Sequence, residues 1–418
     1  MISRRIHGAC NRIDSFSLAL LFAACFLAPI GEAIAQDTEG SAPEGVSWFP
    51  AVPLHITAGV DLGYDDHVLG SNASTNSSGQ GSFFARENLV LTYDRGRERT
   101  QVKLIGVGRF SQFFDAGTDD KAGTVTLSLK HNYSTRLSFY TSVYATYQPE
   151  PDFQSDVGPE NVRSAFFDMR DIFSVTYHWL PRFATITSYT FHGVKYTQSS
   201  SIASFQDRVD NTFAEVFQFS LTRRTNLTGT YSFKSADYGT PATNSGTAAT
   251  NSVTHSVLAG FDHHFTEHIT LLATAGESFR FPQEGQSSTN PTFTTALNYL
   301  KGNHSLIWTT SYGFEESNVQ NASSRITIRT GLILKYELTS QIGATARMFY
   351  HHDENEGGST GTSSVGSQDS LDISLGLRYT INKKFAAHVD YQFTTQSSIQ
   401  SNSGYSRNRY FAGFTYTY

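Results

Sequence analysis

The stretch Arg407–Tyr418, RNRYFAGFTYTY, decides the fold. Read as an extended strand, it places Tyr410, Ala412, Phe414, Tyr416 and Tyr418 on one face and Phe411, Gly413, Thr415 and Thr417 on the other. Successive side chains of a strand point to opposite faces, so one face here is nearly all aromatic and the other mostly small or polar. A strand with lipid on one side and water on the other has this composition. The competing reading is the last strand of a soluble all-β domain, and the rest of the chain separates the two.

Working back from that stretch, the same alternation recurs. Leu371, Ile373, Leu375, Leu377, Tyr379 and Ile381 share a face against Asp372, Ser374, Gly376, Arg378 and Thr380. Phe385, Ala387, Val389, Tyr391 and Phe393 oppose Ala386, His388, Asp390, Gln392 and Thr394. Aromatic residues fall near strand ends, as in Phe139 and Tyr147 or Trp308 and Phe314, where interfacial girdles sit. The stretch 209–223 is less regular, because Glu215 falls in register with Phe213, Phe217 and Phe219. A bulge or a shifted boundary there would restore the pattern.

From Leu54 onward, alternating segments are joined by connections of two kinds. Short ones, such as Asp94–Arg97, Asn132–Ser134, Lys301–Asn303 and Asn382–Lys384, alternate with longer Ser-, Asn-, Gly- and Thr-rich ones, such as 148–163, 238–252 and 353–369. Eight short and nine long connections join eighteen strands, with sixteen as the alternative count. Sorting of loops by parity fits a transmembrane antiparallel β-barrel, with short periplasmic turns and longer external loops. A soluble sandwich has no reason for it. The hairpin period of about forty residues is near that of propeller blades, but no motif recurs at a fixed offset.

Charged residues make up 16% of the 418-residue chain and aromatics 13%, against an average charged share of ~25%. Beyond the N-terminus no apolar run approaches the ~20 residues of a spanning helix. A net charge of −6 is mild and points to no nucleic-acid partner. Residues 1–35 read as a signal peptide. Arg4, Arg5 and Arg12 form a basic n-region, Phe16–Leu27 an apolar core, and Ala33-Ile34-Ala35 a cleavage site. Leu21–Cys25 is only loosely lipobox-like, with Phe22 where a small aliphatic residue is usual. Both cysteines, Cys10 and Cys25, lie within this segment, so the mature chain carries no thiol into an oxidising compartment. Residues 36–53, with Pro43, Pro50 and Pro53, read as a periplasmic lead-in too short for a plug domain.

The end of the chain resembles the insertion signal of bacterial outer-membrane barrels. Gly413, Tyr416 and Tyr418 meet its glycine, hydrophobic and aromatic positions, with Phe414 on the same face as the two tyrosines. The polar residue expected two before the glycine is replaced by Phe411. Together with alternation, loop parity and leader, the chain over 54–418 resembles the porin-like β-barrels of the Gram-negative outer membrane. Within that class it looks most like little-characterised porins, some of which accompany exopolysaccharide export. The resemblance implies contact with outer-membrane lipid and lipopolysaccharide and insertion by the barrel-assembly machinery. It also leaves room for a homo-oligomer and, on the export alternative, for polysaccharide export components.

At sixteen to eighteen strands a barrel leaves an aqueous channel. Alternation places Arg86, Lys103, Arg109, Arg329, Arg347, Arg378, Arg407 and Arg409 on inward faces, with Glu315, Asp372 and Asp390 as their negative counterparts. Such charges set selectivity, and a cationic bias favours anionic solutes. They also face water wherever alternation puts them, which needs no selectivity at all. The segment 148–163 resembles in position and charge the third loop that folds into the lumen of familiar porins, although it is short and reads equally as a surface loop. His351, His352, Asp353, Glu354 and Glu356 lack fixed metal-ligand spacing, and Asp115, Asp119 and Asp120 lack the glycine of a calcium loop. No nucleophile-elbow pattern supports a barrel-borne hydrolase. Inward Tyr140, Tyr144 and Phe349 are compatible with sugar stacking on an export path, and equally with ordinary packing. The sequence thus points to passive passage of small hydrophilic solutes across the outer membrane, with no enzymatic step, cofactor or metal, and with exopolysaccharide export as the alternative.

Overall fold

The computed structural model describes residues 53–68, 81–149, 165–197, 207–239, 251–283, 285–316, 322–357, 367–398 and 404–418. Residues 1–35 of the expected leader, nearly all of 36–53 and most of 148–163 lie outside the described residues. The strands of the first half are β1 (Leu54–Asp65), β2 (Ser82–Gly96), β3 (Thr100–Phe113), β4 (Asp119–Asn132), β5 (Leu137–Gln148), β6 (Phe166–Leu180), β7 (Phe183–Tyr196), β8 (Arg208–Thr222) and β9 (Thr225–Tyr238). Those of the second half are β10 (Ser252–His264), β11 (Ile269–Pro282), β12 (Ser288–Lys301), β13 (His304–Glu315), β14 (Ala322–Glu337), β15 (Ile342–Gly357), β16 (Ser367–Thr380), β17 (Phe385–Ser398) and β18 (Tyr405–Thr417).

Each strand pairs antiparallel with its neighbours in sequence, and β1 also pairs with β18. Val60 stands opposite Phe414 and Leu62 opposite Ala412 along that seam. The sheet is closed with eighteen strands, not sixteen. Closure matters because lipid offers no partner to an unpaired backbone group, and only a barrel without edges satisfies all of them with strands. Among the described residues no helix is long and apolar enough to cross a membrane. The inner turns span two to four residues, as at 302–303, where Gly302 takes a positive φ of 58° that favours glycine. Two connections that read in the sequence as long loops, near 114–121 and 282–290, are short ones: only 114–118 separate β3 from β4, and 283–287 separate β11 from β12.

The apolar face is the outer one. Val60, Leu62, Val389 and Phe414 are each more than half exposed, whereas Asp61 and Asp65, on the other face of β1, are buried. Glu316, just past β13, reaches Lys234 on β9 at 3.2 Å over the three strands between them. Only the concave side of a closed sheet allows that chord, so the charged face lines the lumen. Aromatic pairs mark both rims of the outer face, Tyr177 against Trp179 at 4.7 Å on the inner side and Tyr391 against Tyr410 at 4.9 Å on the external side.

The irregularity at Glu215 is not a bulge. β8 keeps register with β7 from Phe219 to Arg208, with Glu215 opposite Thr187, and its one shift lies by the turn at Ser220/Thr222. Glu215 therefore stays on the lipid face with Phe213 and Phe217, and the Thr187 hydroxyl donates to it at 2.6 Å. A charged substitution on that face costs about 2–4 kcal/mol for Arg or Lys at the midplane, and less for Asp and Glu.

Candidate functional site: the lumen wall

Strand register puts the eleven charges singled out in the sequence on the lumen face. Arg86 lies opposite Asp61 and Ser111, Arg109 opposite Asn88, and Lys103 opposite Asp94. Glu315 lies opposite Arg325, Arg329 opposite Ser311 and His351, and Arg347 opposite Ile333 and Ser374. Arg378 lies opposite His388, Asp390 opposite Gly376 and Phe411, Arg407 opposite Thr394, and Arg409 opposite Gln392. They do not form one ring. Arg86, Arg407 and Arg409 join one network and Glu315 and Arg329 another, each with carboxylates not among the eleven, and a third network contains none of the eleven.

The first network straddles the seam of β18, β1 and β2. Arg86 holds Asp61 Oδ2 from both Nε and Nη2 at 2.8 Å, Asn88 donates to the same oxygen at 2.7 Å, and His388 Nε2 meets Oδ1 at 2.9 Å. Arg407 spans both oxygens of Asp65 from Nε at 3.0 Å, and Arg409 adds a contact at 3.1 Å. The guanidinium of Arg86 lies 4.1 Å over the Phe411 ring, a cation–π contact in reach of both partners. The residue pattern of β18 explains Gly413. An added Cβ there would collide with Asp61 Oδ1 and the Val60 carbonyl, and crowd His388.

The second network joins β13, β14 and β15. Glu315 Oε2 receives Arg325 at 2.9 Å and Arg329 at 2.5 Å, while Asp353 receives Arg325 at 3.3 Å and the Thr327 hydroxyl at 2.8 Å. The third runs from β6 to β11. His192 stands between Asp168 (2.9 Å) and Asp210 (3.4 Å), and Asp210 also meets Arg208 and Lys234. Glu316 closes this network by accepting from Tyr238 at 3.0 Å and Arg280 at 3.1 Å. Burial alone would push the Glu316 carboxyl up. The Lys234 ammonium and Arg280 guanidinium outweigh that and hold it below the usual carboxylate range. Asp372 sits apart, accepting from Thr394 at 2.6 Å and Gln392 at 2.8 Å.

These networks change the charge expected of the lumen. The sequence reading counted eight cations against three acids. The third network sets Arg208, Lys234 and Arg280 against Asp168, Asp210 and Glu316, and the second sets Arg325 and Arg329 against Glu315 and Asp353. Among the described residues, Arg86, Arg109, Arg407 and Arg409 share the seam with Asp61 and Asp65, and Asp390 on β17 adds a third carboxylate within electrostatic reach of Arg86 and His388.

A family model described as "Putative beta-barrel porin 2" matches residues 300–418, which is β13 to β18 with the end of β12. No curated protein matches the chain. Among solved structures, a BenF-like porin from Pseudomonas fluorescens Pf-5 is 10% identical with a TM-score of 0.44, covering 89% of this chain and all of the other. The Pseudomonas aeruginosa outer-membrane protein OpdK is 13% identical with a TM-score of 0.41, over 87% of this chain and 99% of that one. OpdL from the same organism is 12% identical with a TM-score of 0.42, over 88% and 99%. Over 300–418 the chain is thus similar to this family of β-barrel porins, and its own sheet is a closed eighteen-stranded antiparallel barrel.

In this barrel two further expectations meet the geometry differently. Phe349, a candidate sugar platform, is buried against Ile333 and Ile307 and offers no ring face to the lumen. Tyr140 and Tyr144 do point inward, next to Lys130 and Ser174 and next to Thr126 and Arg170. Neither the family match nor this lining supports exopolysaccharide export. The acidic His-rich stretch of β15 divides between faces, with His351 and Asp353 inward and His352 and Glu354 outward, so its side chains do not converge. His192 has a carboxylate on each ring nitrogen, which leaves neither to deprotonate a nucleophile.

Proposed function

We propose that the barrel passes small hydrophilic solutes down their gradients through a lumen whose selectivity is set at the β18–β1–β2–β3 seam. The observation that carries this reading is the division of the sheet into an apolar outer face and an inner face of paired charges, closed around eighteen strands. At that strand number the interior exceeds what side chains fill. Balanced ion-pair networks on most of the wall present dipoles to water, while the four arginines at the seam present a net positive field that favours anions. The aromatic residues of β18 serve as the insertion signal for the barrel-assembly machinery. The test is single-channel recording of refolded protein in a planar bilayer. Steady conductance steps with anion-selective reversal support the reading. A folded, heat-modifiable barrel that never conducts overturns it.

A further inference from the structure

Four successive inner turns place an arginine at the same point, just before the strand that leaves the turn. Each continues the pairing by one rung. The carbonyl of Arg99 accepts from Asn132 N at 2.7 Å, and those of Arg136, Arg182 and Arg224 accept from His178, Ser220 and His264 N at 2.8 Å. Because the ladder runs on unbroken, alternation fixes the face of each side chain. Arg99 is in phase with Lys103 and Arg109, Arg136 with Tyr140 and Tyr144, Arg182 with His192, and Arg224 with Lys234, all on the lumen face. Asn132, His178, Ser220 and His264 share that rung on the strands between. Eight neighbouring strands, β3 to β10, thus present Arg, Asn, Arg, His, Arg, Ser, Arg and His at the inner mouth.

All four arginines are exposed. Among the described residues none of them is held in an ion pair, and Arg224 reaches only the Phe265 carbonyl, at 3.5 Å. Asp94 and Glu337 stand at the equivalent points of β2 and β14, outside the arc. Glu98 adjoins Arg99 in its turn, and Asp262 lies 3.7 Å from His264 at the far end. Asn132 stands opposite Ser138, two residues beyond Arg136, and the same step recurs at His178–Ala184 and Ser220–Asn226. Two strands across at ~4.8 Å and two residues along at ~3.3 Å put successive arginines about 12 Å apart, so the arc runs roughly 35 Å. A small anion meets one or two of these groups. An extended polypeptide, rising ~3.3 Å per residue, brings a carboxylate to every one when its acidic residues fall three or four apart. Guanidinium groups grip carboxylates with two parallel hydrogen bonds, and the asparagine, serine and histidines between them offer donors and acceptors to the peptide backbone. We propose that this arc is a docking surface for an extended acidic segment of a periplasmic protein. The contact is independent of whether the barrel conducts.

The test uses the full chain folded in detergent and two dye-labelled peptides, five repeats of Glu-Gly-Ser and five of Gln-Gly-Ser. Fluorescence anisotropy at an ionic strength of ~0.05 M should show the acidic peptide binding and the glutamine peptide not, with the binding weakening as salt is raised. Arg136→Gln with Arg182→Gln should weaken it at least about tenfold. Lys383→Gln with Lys384→Gln removes the same charge from the turn between β16 and β17, outside the arc, and should change it less than about twofold. Ser220→Cys, between Arg182 and Arg224, keeps all four arginines. A bromoacetyl form of the acidic peptide should alkylate it faster than the glutamine form does, with the wild type as background. Equal weakening in the two double variants would reduce the effect to net charge and overturn the proposal. So would equal binding or equal alkylation by the two peptides, or binding of tripolyphosphate without binding of the acidic peptide, which would make the arc a small-anion site. Heat-modifiable gel mobility identifies arginine variants that fail to fold, and the Ser220→Cys rates then decide the matter.

Discussion

Single residues at the seam and at Glu316 are where the barrel is least tolerant. Gly413 faces the lumen where Asp61, the Val60 carbonyl and His388 already fill the space of a side chain. Gly413→Val should therefore prevent closure of β18 on β1, or weaken it by about 1–3 kcal/mol as overpacking does. The heat-modifiable band on gels reports the outcome, and Gly108→Ala, whose added carbon meets nothing within 4 Å, should leave it intact. Glu316 makes a different prediction. It compensates Lys234 and Arg280, both drawn into the same buried network. Glu316→Gln removes the carboxylate that Lys234 and Arg280 share, with Asp210 still beside Lys234, a loss of up to about 3–5 kcal/mol at neutral pH by the measure of broken buried pairs. A carboxyl held below its ordinary value contributes stability above the unfolded-chain pKa of ~4.3, and that contribution is lost as pH falls through the folded value. Thermal unfolding of the wild type should thus drop on acidification below about pH 4, and the variant should lack that part of the drop.

At the scale of the strand, alternation carried most of the information. Leu371–Tyr379 and Phe385–Phe393 show which face is which with no help from their neighbours, because lipid and water impose opposite compositions on a period of two. The networks were less legible. Asp61 and Asp65 stand on an alternating strand among Gly59 and Gly63, a readable signal for lumen carboxylates. Their arginines are on β2 and β18, and only closure of the sheet brings Arg407 within 3.0 Å of Asp65. Glu316 lies past the end of a strand, where period-two reasoning has nothing to say. Glu215 was legible but discounted as irregular, since one carboxylate among phenylalanines contradicts the pattern that identifies the strand. The terminal aromatics carry a separable prediction. Removing 414–418 deletes the pairing of Phe414, Tyr416 and Thr417 with Val60, Ala58 and Thr57, so its failure to assemble would not distinguish lost pairing from a lost signal. Phe414→Ala, Tyr416→Ala and Tyr418→Ala combined keep the backbone ladder. Cell fractionation should find this chain in the periplasm while the same protein refolds in detergent, which isolates recognition by the assembly machinery. Normal outer-membrane assembly would refute the signal.

For the whole molecule, the described lumen wall pairs most of the charges of β6–β11 and β13–β15 and concentrates arginines at the β18–β1–β2–β3 seam. Long-range fields come from net charge, so the paired networks on β6–β11 and β13–β15 contribute little beyond their own dipoles. On the proposed function the seam, with four arginines to Asp61, Asp65 and Asp390, sets the sign of the potential. Arg109→Gln with Arg409→Gln would remove the positive surplus of that sector while sparing the Arg86–Asp61 and Arg407–Asp65 pairs. The reversal potential of the double variant in a salt gradient near 0.1 M should move toward the cation side. The shift should shrink as salt is raised, because the Debye length falls from ~10 Å at 0.1 M to ~3 Å at 1 M and ions in mid-channel no longer sense the wall. Lys234→Gln, from a balanced network, should leave selectivity near that of the wild type or move it through lost structure, visible as altered conductance rather than altered sign. An unchanged reversal potential in the arginine variant, with wild-type conductance, would mean that the seam does not control permeation and that the narrowest part of the path lies elsewhere along the wall.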